Sequence, residues 1–92
     1  MKIKVKFFAS MRQLFQTRER EVDLPEGACF RHLLDLLCDS AERREGLFDK
    51  ETKLNPNLVF LRNGQPIQSF GGLEARLEEG DVVAIFPLLG GG

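Results

Sequence analysis

The 92-residue chain has no Trp, no Tyr, a single His, two Cys and a net charge of −1. Each shortage removes a class of function. Eight Phe supply core bulk but no phenol or indole for hydrogen bonding. A charge so close to zero gives no electrostatic footprint for nucleic acid or an anionic membrane. No apolar run approaches the roughly 18 residues of a membrane span. The opening MKIKVKFF lacks the apolar stretch of a signal peptide, so a cytoplasmic protein is expected. His32 has no Ser, Cys or carboxylate constellation around it and reads as a solvated surface residue rather than a general base. One His and two separated Cys do not make a four-ligand metal site. On a single helix, the rise between Cys29 and Cys38 is about 13.5 Å, beyond the roughly 7 Å that a disulfide spans. Both therefore read as small core fillers. Gly71-Gly72 lacks the Lys and the strand-to-helix context of a phosphate loop, which leaves a plain turn. No catalytic residue and no metal site is expected.

What is present is a clear succession of elements. At this length the chain makes one domain that buries roughly 60–65% of its unfolded surface. KIKVKFFA alternates, with Ile3, Val5 and Phe7 on one face and Lys2, Lys4, Lys6 and Phe8 on the other. A short irregular or one-turn helical connection tucks Met11, Leu14 and Phe15 inward. REREVDL is a second strand, charged enough for a sheet edge, and forms a hairpin with the first. With Arg18, Glu19, Arg20 and Glu21 opposite, cross-strand charge pairing accounts for the lysine row more simply than a phosphate site does. CFRHLLDLLCDSAERR is expected to be one helix. Its stripe is Phe30, Leu33, Leu34, Leu37 and Ala41, widened by Leu36 and Cys38. Arg43 and Arg44 suit its last turn and Gly46 is placed to stop it. Cys29 stands where a capping oxygen would serve, a local weakness.

Leu47, Phe48 and Leu54 should anchor the following connection. NLVFLRNGQPIQS carries the Asn-Gly signal of a hairpin, with Pro66 confining its return strand to an edge. After a loop with about one helical turn, Asp81 serves as a turn residue leading into VVAIF, whose apolar character places it centrally, beside and parallel to the first strand. The order strand, strand, helix, strand, short strand, strand is an α+β arrangement. It is a β-grasp (ubiquitin-like) fold with a mixed sheet of four to five strands and one main helix packed on one face. Residues 1–87 form this domain, and 88–92 a flexible Gly-rich tail.

Two features have no role in the core. Alternation leaves Phe8 and Phe86 on the face away from the helix, so neighbouring first and last strands would place them together as a partner-binding patch. Pro66 and Pro87 extend it. A bulge that turns Phe8 inward is the competing reading. The other feature is the end, Leu88-Leu89-Gly90-Gly91-Gly92, which extended reaches at most about 17 Å. Without Cβ atoms the glycines can thread a narrow cleft and bring the Gly92 carboxylate against a nucleotide phosphate. Once adenylated, that carboxylate becomes electrophilic towards sulfur or an amine.

IKVKFFASMRQLF, LPEGA, RNGQPI, LEEGDVVAIFP and the terminal Gly91-Gly92 together resemble the MoaD/ThiS-type ubiquitin-like sulfur carriers. The similarity is greatest to the small subunit of molybdopterin synthase, and extends to the thiamine-pathway carrier. The resemblance implies a carrier that is not itself an enzyme. Gly92 would be adenylated by a ubiquitin-activating-type enzyme using ATP and Mg²⁺. A persulfide donor would then convert it to a thiocarboxylate, and Leu88, Leu89, Gly90 and Gly91 would insert into the large synthase subunit. Phe8 and Phe86 match positions where the family docks on its partners. The tail departs from the family pattern, which has a second Pro and a small residue before Gly-Gly. Sulfur delivery to thiamine, cysteine or tRNA, conjugation to proteins, and a plain interaction module with an inert tail are the alternatives.

Overall fold

A computed structural model describes residues 1–50 and 53–88. Five strands form one sheet: β1 (Lys2–Phe7), β2 (Glu19–Asp23), β3 (Leu58–Arg62), β4 (Gln65–Pro66) and β5 (Val82–Pro87), in the order β2-β1-β5-β3-β4. β1 pairs antiparallel with β2 and parallel with β5, and β3 pairs antiparallel with both β5 and β4. This is the β-grasp fold, with the most apolar strand at its centre. Among the described residues, no helix is long and apolar enough to cross a membrane.

Register puts Phe7, Ile85 and Phe60 side by side on the core face, with Val5 beside Val83 in the next row. All five are buried. Phe7 stacks on Phe15 at 4.4 Å between centroids and Phe30 meets Phe60 edge-on at 5.7 Å, so the Phe residues knit helices to sheet. Met11 and Phe15 bury from a short helix, α1 (Ser10–Phe15), while Leu14 stays half-exposed. Lys2 and Lys4 pair with Glu21 and Glu19 at 3.8 and 3.6 Å on the opposite sheet face.

The single helix expected after residue 29 is two helices, α2 (Phe30–Leu37) and α3 (Ala41–Leu47). α2 buries Phe30, Leu33, Leu34 and Leu37 as the spacing requires. The break comes where Ser40 caps a new helix, its Oγ accepting from the Arg43 N–H at 3.1 Å. Arg43 then donates from Nε to the Leu14 carbonyl and lies over the Phe15 ring, which ties α3 to α1. The redirected chain leaves Ala41 exposed, and Leu36, on the outer side of α2, is 45% exposed, so neither belongs to the stripe. Gly46 does not stop a helix. It lies within α3, where an added Cβ would sit 2.5 Å from Leu14 Cδ2, so glycine leaves room for the Leu14 side chain of α1 against α3.

The start of α2 is not a weak point either. The Cys29 N–H donates to His32 Nδ1 at 3.0 Å, the reciprocal half of a capping box made by an exposed histidine. Both cysteines are free, Cys29 buried and Cys38 half-buried. Leu47 and Phe48 anchor the connection that follows, with Phe48 bridged to Leu54. Asn63 and Gly64 take φ of 49° and 83°, the left-handed pair of a tight hairpin turn. Short 3₁₀ turns at Ile67–Phe70 and Gly72–Glu74 fill the loop before β5.

Candidate functional site: an apolar shoulder beside the chain end

In neighbouring strands, paired residues share a face. Lys6, Ala84, Leu61 and Pro66 form one row across the outer face, and Phe86 and Val59 the next. Phe8 follows β1 on the same side, 37% exposed, its ring edge-on to Phe86 at 6.0 Å. No bulge turns it inward. Pro66 is exposed at the sheet edge and continues the apolar row through Leu61, while half-buried Pro87 ends β5.

Phe8 is held from three sides. Its N–H donates to the Ile85 carbonyl at 3.1 Å, and the Phe86 ring abuts it. The Arg12 guanidinium lies 5.5 Å from its ring centroid while Arg12 Nε donates to the Phe7 carbonyl at 2.9 Å. Sequence reasoning missed Arg12; its signal is the FFAxxR spacing, which places the arginine one helical turn beyond Phe8. Ala9, between them, has φ 52° and ψ −130°, a conformation that favours glycine.

β5 leads off the sheet beside this shoulder. Leu88 is 60% exposed, and its N–H donates to the Asn57 carbonyl at 2.8 Å. A cleft of about 720 Å³, lined by Arg44, Phe48, Lys50, Asn55, Pro56 and Asn57 among others, adjoins this strand end. Leu89, Gly90, Gly91 and Gly92, expected to form the inserting and modified tail, lie outside the described residues.

Asp81 is more than a turn residue. It is 5% exposed and its carboxylate accepts from Arg62 Nε, Asn63 Nδ2 and the Glu78 N–H at 2.8–3.0 Å. It ties the RNG turn to the start of β5 at the end of the strand opposite the tail. Among the described residues, no cluster of three or more His, Cys, Asp or Glu could hold a metal. Burial pushes the Cys38 thiol up to about 11.

The profile of the ThiS family matches residues 5–92. The chain belongs to the ThiS family, whose members are ubiquitin-like sulfur carriers and modifiers. It is 24% identical over 92 residues to small archaeal modifier protein 3 of Haloferax volcanii, covering 100% of both chains. The crystal structure of SAMP1 from the same organism superposes with a TM-score of 0.83 at 26% identity, again over 100% of both chains. A structure from Pyrococcus furiosus described as a putative molybdopterin converting factor, subunit 1 is 32% identical, with a TM-score of 0.74, covering 95% of this chain and 97% of its own. The ThiS-family match extends through the glycines to residue 92.

Proposed function

We propose that this ThiS-family chain carries sulfur as a thiocarboxylate on Gly92 and delivers it to molybdopterin synthesis. The observation that carries the reading is the joining of two things on one strand. β5 presents Phe86 to the outer face beside Phe8, then leads directly into the glycine end that the family match includes. The 32% identity to the Pyrococcus furiosus protein supports the pathway.

The chemistry follows from the carboxylate. An oxygen of Gly92 attacks the α-phosphate of Mg-ATP on a ubiquitin-activating-type enzyme, forming the acyl adenylate and releasing pyrophosphate. A persulfide attacks the carbonyl carbon and AMP leaves. A thiol then cleaves the resulting acyl disulfide, releasing the thiocarboxylate and taking the donor sulfur into a mixed disulfide. The activating enzyme supplies the nucleotide site, and this chain supplies a carboxylate narrow enough to reach it. Phe8, Phe86 and Pro66 dock the partner from the outer face, Pro87 lies on the core-facing side with Leu58 and only ends the strand, and Leu88 to Gly91 enter the active site of the large synthase subunit.

The Haloferax volcanii relative named a modifier supports a second reading, in which the adenylated Gly92 passes to a lysine amine as an isopeptide. One comparison separates the two. The charged protein is mixed with the large synthase subunit and pterin precursor, and in parallel a chymotryptic proteome digest is searched for lysines carrying the Gly90–Gly92 remnant that cleavage after Leu89 leaves. Dithiolene formation with no remnants supports the pterin pathway. Remnants without dithiolene formation replace it with conjugation.

A further inference from the structure

We infer that Asn55 is a positioning residue for the reactive end, an inference that rests on the carrier reading above. The root of the tail is tethered by a bond outside the regular strands. Pro87 has no N–H to give, so the first amide beyond it, that of Leu88, carries the β3–β5 pairing one step past Leu58 and Pro87 by donating to the Asn57 carbonyl at 2.8 Å. The placement of Leu88, the last described residue before the glycines, therefore depends on where that carbonyl stands. Asn57 is an exposed loop residue, and its own side chain plays no part in the tether.

Asn55 holds it in place. Its Oδ1 accepts from the Asn57 N–H at 2.9 Å, an Asx turn closed over Pro56. Its backbone carbonyl accepts from the Leu58 N–H at 3.1 Å, fixing the start of β3. From the other side, Asn55 Nδ2 donates to the Gly46 carbonyl at 3.1 Å and its backbone N–H to the Leu47 carbonyl at 2.9 Å. Leu47 is fully buried, so the loop is pinned to a helix end anchored in the core. The path runs from the core, through one side-chain amide, to the carbonyl that holds the tail. Asn55 is half-buried and its side-chain bonds are polar, so losing them frees the root without removing an apolar side chain from the core. A small misplacement of a reacting group costs rate through lost orientation. Docking through Phe8 and Phe86 takes place on the sheet's outer face and is unaffected.

The test compares wild type, Asn55→Ala and Asn55→Asp in pyrophosphate release by the activating enzyme with Mg-ATP, alongside amide exchange at Leu88 by NMR. Asn55→Ala is expected to speed Leu88 exchange and lower kcat about 3- to 10-fold, with KM and melting temperature close to wild type. Asn55→Asp keeps the acceptor for the Asn57 N–H but loses the donor to the Gly46 carbonyl, and is expected to restore only part of the Leu88 protection and of the rate. Wild-type exchange or wild-type kcat in Asn55→Ala overturns the inference, as does a rate loss that follows global unfolding and is not rescued by Asp. If wild type itself is not adenylated while a control carrier is, the carrier reading fails, whatever the exchange data show.

Discussion

The Phe8 and Phe86 rings meet edge to face at 6.0 Å, one from the turn after β1 and the other from the central strand that precedes the chain end. Neither fills the core. Replacing either with Ala is expected to cost about 1 kcal/mol of stability, the scale of a lost aromatic pair, and to weaken binding to the activating enzyme by about tenfold or more, as for an interface anchor. Thermal melts and a binding titration check both halves. A variant that unfolds shows that its ring belongs to the core.

Asp81 and Arg62 form an ion pair at 2.9 Å with side chains 6% and 11% exposed. Asp81→Ala leaves a guanidinium enclosed without its partner and is expected to cost about 3–5 kcal/mol. Urea unfolding measures it. A loss well under 1 kcal/mol would mean that the pair is not needed to hold the RNG turn to β5.

Ala9 holds φ 52° so that the chain turns from β1 into α1 while Phe8 stays outside. Such backbone costs about 1–3 kcal/mol in a residue with a Cβ, more than the extra freedom glycine has in the unfolded chain, about 0.5–1 kcal/mol. Ala9→Gly is therefore expected to stabilise by roughly 1 kcal/mol, read as a rise in melting temperature. A fall would contradict it.

Burial pushes the Cys38 thiol from 9.0 up to about 11, and Asp35 and Asp39 add to this. A raised folded-state value gives stability that is complete below pH 9.0, where both states hold the proton, and that declines as pH rises through about 11. Stability should fall across that window, and Cys38→Ser should flatten the fall. At neutral pH the thiol is protonated, so iodoacetamide should label it slowly until denaturant is added. Rapid labelling of the folded protein would contradict this.

The strands were legible because alternation fixes faces locally. Ile3, Val5 and Phe7 opposite Lys2, Lys4 and Lys6, the Asn63-Gly64 turn, and the central VVAIF strand all follow from short-range rules. What stayed hidden depends on partners far along the chain. The helix break at Ser40 is made worthwhile by Arg43 reaching Leu14 and Phe15, which no helical periodicity reveals. Gly46 resembles a stop signal until α1 is seen against it. Asp81 looks like any turn residue, since its partner Arg62 lies 19 positions away. In the site, the Phe8–Phe86 pairing could be read from strand order, whereas the Arg12 clamp and the Asn55–Asn57–Leu88 path required the folded loops.

The central claim is that Gly92 becomes a thiocarboxylate. Intact-mass analysis after incubation with the activating enzyme, Mg-ATP and a persulfide donor tests it directly. The account predicts that the protein gains the mass difference of sulfur for oxygen, that omitting ATP abolishes the gain, and that deleting Gly90 to Gly92 does the same. An unchanged C-terminal mass, under conditions that convert a control carrier, would contradict it.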